Sequence, residues 1–267
     1  MGRKANLDSN LKPIVLSDIH IRVVQAMHVL YRISNNSYKK ERIATASKEY
    51  CLVNFVNNVL TEHDNMTIIA DGVDAKLLDF ICAKKQKNIE ILNESLGSNG
   101  ASFRFQLDYA SGLPKNTIVL FQEDDYIYTE ACWPNNTDFN YHEMISQALE
   151  FADYISFYDH PDKYMSPKVG GNPLISERGT EKTEVFCTQS MHWKYTNSTT
   201  CTFACMVETV QQDAKIWKHF CPANHPHDYQ AFLALGLRGR KLATSIPGKA
   251  THCDKQWISP FFFNRDV

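Results

Sequence analysis

Short apolar runs alternate along this chain with stretches in which apolar residues return at helical spacing. Ala26-Met27-His28-Val29-Leu30-Tyr31-Arg32-Ile33-Ser34 reads as the first core strand, followed by the turn cluster Asn35-Asn36-Ser37. From 39 to 61, Ile43, Ala46, Tyr50, Leu52-Val53, Val56 and Val59-Leu60 recur at intervals that predict a helix. Met66-Thr67-Ile68-Ile69-Ala70 predicts a strand that ends in Asp71-Gly72. A short helix is expected over 75–84 and a strand over 88–92. The glycine-rich loop Gly97-Ser98-Asn99-Gly100 leads into a helix over 101–110, and a strand follows over 117–122. Strands alternating with helices imply a mostly parallel sheet covered on both faces. Right-handed crossovers put the strands' carboxyl ends on one rim. Asp71, the 97–100 loop and Glu123-Asp124-Asp125 should therefore converge.

The second half is less regular. A helix is predicted over 142–152, and a strand over 154–158 that ends in Asp159-His160-Pro161-Asp162-Lys163. Residues 165–183 carry Ser-Pro, Gly-Gly and Asn-Pro steps and then charges, the pattern of a long mobile loop, either a lid or a disordered segment. A strand over 199–207, helices over 210–219 and 228–235 and a strand near 241–245 complete the pattern before Ile246-Pro247-Gly248 breaks it. Residues 1–25 read as an extension with one β-like run at 13–16.

Composition narrows the class without naming it. The 267 residues are 43% hydrophobic and 22% charged, as in ordinary globular domains. A net charge of −2 gives no electrostatic case for a nucleic-acid partner. No run approaches the roughly 20 apolar residues of a membrane span. The start lacks a signal-peptide core, and none of the eight cysteines forms a CxxC pair, so reduced thiols and a cytoplasmic location are expected. A zinc site drawn from Cys201, Cys205, His219, Cys221, His225 and His227 lacks the usual paired spacing.

The chemistry is concentrated at Thr117-Ile118-Val119-Leu120-Phe121-Gln122-Glu123-Asp124-Asp125, where a buried-type strand ends in three carboxylates. Such acids repel one another unless a cation sits between them, and the strand end suggests a divalent metal site; the alternative is a solvated acidic turn. This triplet, the later Ile246-Pro247-Gly248-Lys249-Ala250-Thr251-His252, and the βαβ half before them resemble the GT-A class of nucleotide-sugar-dependent glycosyltransferases. The likeness covers about 26–257 and is of the family-2-like kind found among viral and microbial glycan-building enzymes. It implies an α/β fold: a single GT-A domain with a Rossmann-like, mixed, mostly parallel sheet and helices on both faces. Residues 26–130 would then form the nucleotide-sugar-binding half and 131–267 the acceptor-binding half.

The resemblance implies Mn²⁺ or Mg²⁺ as cofactor, held by Asp125 and His252 with Glu123 as a further candidate, and a UDP-sugar as donor. Glu123 and Asp124 would otherwise meet metal-bound water, ribose or sugar hydroxyls. Asp71 matches a uracil- or ribose-binding position, or else caps the next helix. Tyr31 and Arg32 would frame the base, with Tyr31 equally suited to the core. Asn99, Ser102 and Arg104 lie where a diphosphate or ribose would rest, although Arg104 also suits a surface ion pair. Asp228 is the expected base for an inverting transfer to a glycan or glycoconjugate hydroxyl, or a helix N-cap; Asp159 and His160 stand in reserve. His227 precedes Asp228 where the family commonly has Glu. A non-catalytic carbohydrate-binding module and a sugar-phosphate nucleotidyltransferase are the rival readings.

Overall fold

The computed structural model describes residues 26–36, 40–133, 138–222 and 224–262. The expected extension at 1–25, with its run at 13–16, lies outside them. The elements follow in the order β1 (Met27–Ile33), α1 (Lys48–Asn58), β2 (Asn65–Asp71), α2 (Ala75–Ala83), β3 (Ile89–Glu94), α3 (Asn99–Ser111), β4 (Ile118–Glu123), β5 (Tyr126–Tyr128), α4 (Tyr141–Ala148), β6 (Tyr154–Ser156), β7 (Val185–Cys187), β8 (His192–Thr196), β9 (Phe203–Met206), α5 (Val207–His219), α6 (Asp228–Gly236), β10 (Leu242–Ile246) and β11 (Ala250–His252). One nine-stranded sheet has the order β3-β2-β1-β4-β9-β6-β10-β8-β7, and β11 pairs with β5 in a separate two-stranded ladder. Within the large sheet, β9 and β8 run against all the other strands. The sheet is mixed and mostly parallel, as the βαβ pattern requires.

Burial explains why the strands are legible. β1 lies between β2 and β4, and every residue but His28 is buried, because a central parallel strand is covered on both faces. Its alternate residues feed two cores. Val29, Tyr31 and Ile33 pack with Leu52 and Phe55 of α1, Leu77 and Ile81 of α2, and Met144 and Ile145 of α4. Leu30 faces the other core, built on Phe103 and Leu107 of α3, Trp217 of α5 and Phe232 of α6. Trp217 stacks on Phe203 at 5.0 Å, which fixes α5 on the sheet.

Two expectations change. The helix predicted from 39 begins only at Lys48, where Ser47 caps it by accepting the Tyr50 amide at 3.1 Å. The stretch before it is drawn out by long-range pairing: Arg42 bridges to Asp254, and the Ile43 amide donates to the Cys253 carbonyl at 2.9 Å. Strands β5, β7, β8 and β11 were not foreseen, being too short for a period to show.

The segment read as a mobile loop contains the single-turn 3₁₀ helix Pro167–Val169, follows another at Pro161–Tyr164, and is tied to the sheet by buried charge. Lys194 on β8, 3% exposed, pairs with Asp159 at 3.0 Å and Glu181 at 2.9 Å. The Tyr164 hydroxyl accepts from Lys194 at 2.9 Å and donates to Asp159 at 2.6 Å. Lys163, 1% exposed, donates to Asp162 at 2.8 Å and to Ser198 at 3.0 Å. Replacing Lys194 by Met leaves Asp159 and Glu181 buried without their cation. Urea denaturation of Lys194→Met should show a loss of about 3–5 kcal/mol, the usual result of breaking a buried pair from one side, together with new protease cleavage between 165 and 183.

Candidate active site

The carboxyl ends of the strands open onto one cleft of about 230 Å³. Glu123, at the end of β4, accepts a very short hydrogen bond from the Arg32 guanidinium, whose other arm donates to the Asn99 carbonyl at 3.2 Å. Asp124 accepts the Ser34 amide at 2.9 Å and the Lys48 ammonium of α1. Asp125 lies 3.5 Å from Arg42 and 3.4 Å from His252 Nε2. Each acid of the triplet therefore has a cationic neighbour drawn from the chain itself. The repulsion that pointed to a metal is met, in the first instance, by Arg32, Lys48 and Arg42.

His252 arrives by backbone pairing. In the β5–β11 ladder it lies opposite Tyr126, the residue after Asp125, and the Cys253 amide donates to the Asp125 carbonyl at 2.8 Å. Its Nδ1 accepts the Asp254 amide at 2.9 Å, which turns Nε2 toward Asp125. Burial draws the His252 pKa down, against the pull of Asp125. Burial opposes ionisation of Asp125, but its basic neighbours outweigh it and hold the carboxyl below its ordinary value. Glu123 moves the other way. Burial dominates, Arg32 only partly offsets it, and Asp125, Asp228 and Asp124 add repulsion, leaving the carboxyl at about 7.

Asp228, the first residue of α6, lines the same cleft. It is not the helix cap: His227 occupies that position, and Asp228 accepts the Tyr229 amide at 2.7 Å. Burial pushes its carboxyl up to about 6 despite that hydrogen bond. His160 also lines the cleft, with Nδ1 2.9 Å from Asp162. Asp71 lines an adjoining cavity of about 200 Å³ with Ser34, Asn36, Gly97, Ser98 and Asn99. It is no helix cap either, since Asp74 caps α2, and its carboxylate accepts the Leu96 amide at 2.7 Å.

Arg32, Asn99, Glu123, Asp124, Asp125, His160, Asp228 and His252 thus meet in one place, with Asp71 next door. Four other candidates lie elsewhere. Tyr31 is fully buried against Phe55, Ser102 is buried in the first turn of α3, and Arg104 is half-buried on α3 beside Cys221. Asp159 is committed to Lys194 and Tyr164. Lys40, Arg42, Lys48, Tyr158 and Trp257 were missed. The charge run Lys39-Lys40-Glu41-Arg42 just after the first strand was the signal for Lys40 and Arg42, hidden by the helical spacing around it; Lys48, Tyr158 and Trp257 carried none. Trp193 is buried in the core and donates to Thr188 at 3.2 Å.

The residues suit a divalent cation in part. A hard carboxylate beside an imidazole is a donor set that Mn²⁺ accepts, and Asp125 and His252 hold their donor atoms at a spacing one ion can bridge. Charge balance favours it too. Arg32, Lys48 and Arg42 are already paired with Glu123, Asp124 and Asp125, and Lys40 with Asp254, so an incoming diphosphate needs positive charge from outside. Two features limit the fit. With Nδ1 accepting an amide, Nε2 carries the ring proton, and a metal there must displace it at the expense of the Asp254 contact. Among the described residues, no three His, Cys, Asp or Glu side chains form a metal cluster by themselves.

No protein-family model matches the sequence, and no curated protein matches it. Solved structures do. The structure of GalNAc-T7 with UDP, GalNAc and Mn²⁺ aligns with a TM-score of 0.55 at 7% identity, over 86% of this chain and 44% of that one. This protein has the GT-A fold. The galactosyltransferase LgtC, in complex with donor and acceptor sugar analogues, aligns at 0.45 with 10% identity over 82% of this chain and 73% of its own. The 4-diphosphocytidyl-2C-methyl-D-erythritol synthase of Anaerococcus prevotii aligns at 0.45 with 10% identity, over 84% and 89%. The present GT-A chain thus spans less than half the length of GalNAc-T7. No helix among its described residues is long and apolar enough to cross a membrane.

The link from β10 to β11 sets where His252 stands. A Cβ added at Gly248 would lie 2.6 Å from Ser259 Oγ and 3.0 Å from the Asp159 Cβ. Gly248→Ala should therefore force the link outward and lower stability by about 1–3 kcal/mol, as overpacking does. A fall in melting temperature is the expected result.

Proposed function

We propose that this protein is a metal-dependent glycosyltransferase that moves a sugar from a UDP-sugar to a hydroxyl of a glycan or glycoconjugate, with inversion. The observation that carries this reading is the layout along one rim. The Asp71–Asn99 cavity lies at the ends of β1 and β2, the Asp125–His252 pair follows β4, and Asp228 closes the same cleft. The first is polar and suits a nucleoside. The second would hold a divalent cation through Asp125 and His252, and such a cation, when bound, offsets charge on a departing diphosphate.

The chain's own residues account for the remaining roles. Arg32 and Lys48 lock Glu123 and Asp124 in place, so the wall of the cleft does not move when charge arrives. Arg42 and Lys40 add positive potential near Asp125. Asp228, at about 6, is ionised at neutral pH and is a stronger base than an ordinary carboxylate, which suits removal of the acceptor hydroxyl proton. Asp159 is spent on Lys194, whereas Glu123, with its carboxyl at about 7, and His160 also line the cleft.

Calorimetry with UDP, GDP, CMP and TDP, each with Mn²⁺, Mg²⁺ or EDTA, tests the donor. UDP should bind with metal and lose most of its affinity in EDTA. Asp125→Asn and His252→Ala should each weaken metal-dependent binding by about 10–100-fold, the scale seen when a metal site loses support, with melting temperatures nearly unchanged. Equal binding by both variants in chelator would sink the metal assignment. For Asp228 the sign is fixed by protonation: the base is lost as pH falls through its pKa. kcat/KM should drop about tenfold per unit below roughly pH 6, and Asp228→Asn should cost about 10²–10⁴ in rate with UDP affinity retained.

A further inference from the structure

The cleft has two unlike halves. One is charged, walled by Arg32, Lys40, Arg42 and the acid triplet. The other is aromatic, walled by Tyr158, His160 and Trp257. We propose that Trp257 is the stacking platform of a pyranose subsite for the acceptor sugar, with His160 as its hydroxyl partner. This rests on the glycosyltransferase reading.

Position comes first. Trp193 and Trp217 are core residues, whereas Trp257 is half-buried and lines the cleft. Its backbone is fixed: the Tyr158 hydroxyl donates to the Trp257 carbonyl at 2.6 Å. Trp257 ends a short 3₁₀ turn, Lys255–Trp257, that Asp254 caps through the Gln256 amide at 3.2 Å. The His160 ring lies 5.1 Å from the indole, tilted by 53°, and 5.0 Å from Tyr158.

His160 is itself anchored. Asp162 meets its Nδ1 at 2.9 Å and is held from behind by the buried Lys163 at 2.8 Å and Asn172 at 3.2 Å. The His160 Nδ1 also accepts the Asp162 amide at 3.1 Å, so His160 caps the 3₁₀ turn Pro161–Tyr164 and its ring is held in place. The arrangement leaves Nε2 as the ring's remaining polar atom, a fixed contact for a hydroxyl.

The chemistry selects the ligand. A pyranose presents one face of C–H groups and a rim of hydroxyls. An aromatic face takes the first, and a small number of placed polar groups takes the second. Order along the sheet assigns the sugar: the nucleoside cavity lies at β2 and β1, the acid triplet at β4, and Tyr158 and His160 follow β6 beyond β9. The aromatic wall is the end farthest from the nucleoside, and Asp228 in the same cleft is the group for the attacking hydroxyl.

Saturation-transfer NMR on the full chain with UDP and Mg²⁺ tests this, using the methyl glycosides of glucose, galactose, mannose and N-acetylglucosamine as probes. At least one should receive saturation, strongest on the C–H protons of one ring face. Trp257→Ala should reduce that transfer at least fivefold, and Trp257→Phe should keep most of it, with UDP affinity in both within about twofold of wild type. Undiminished transfer in Trp257→Ala overturns the proposal, as does no transfer from any glycoside while UDP still binds. A fall in UDP affinity in both variants would assign Trp257 to the donor and also overturn it. Failure of all four nucleotides to bind the wild type would instead defeat the glycosyltransferase reading.

Discussion

Neutralising three consecutive carboxylates at the end of β4 is the constraint that organises this protein. Like charges that close cannot persist in a partly buried rim without positive charge beside them. The chain draws that charge from separate places: Arg32 from β1, Lys48 from α1 and Arg42 from the link between them. Each ion pair is also a tether. Together they fold the 40–48 segment across the strand ends, where the Arg42–Asp254 bridge joins it to the far end of the chain. The cleft exists because these segments are pulled over the rim.

The same pairing sets the electrostatics. Because the cations are already engaged, the acids do not all behave alike. Asp125, held down by His252 and then by Arg42, Lys40 and Lys48, stays readily ionised. Glu123 and Asp228 are held up near neutrality by burial, with repulsion adding to it at Glu123. One cleft therefore offers a firm anion beside His252 and a tunable carboxylate across from it. That difference separates holding a cation from moving a proton. Away from this charge the wall turns aromatic, and the cleft grades from a place for phosphates to a place for neutral rings.

Elements that look incidental support this layout. The two-stranded β5–β11 ladder is only three residues long, yet it brings His252 beside Asp125. Gly248 lets the preceding link pass against Asp159. Asp159 is in turn fixed by Lys194, which also secures Glu181 and the long excursion between β6 and β7. A buried charge network thus stiffens the loop that backs His160.

The sequence by itself determined the parallel half of the sheet, the helices on its two faces, the acid-tipped strand and the rim shared by Asp71, the 97–100 loop and the acid triplet. These follow from local rules: the period of apolar residues and the handedness of crossovers. The late Gly248-to-His252 segment was recognisable as well. Only the tertiary structure decided which cations meet which acids, because Arg32, Arg42 and Lys48 reach Glu123, Asp125 and Asp124 across 76 to 91 positions of sequence. It also decided that Ser47 starts α1 late, that Trp193 is core while Trp257 faces the cleft, and that a loop rich in Gly and Pro is pinned by Lys194. None of these has a local signature, since each depends on partners brought together by the fold and on how much water is left around them.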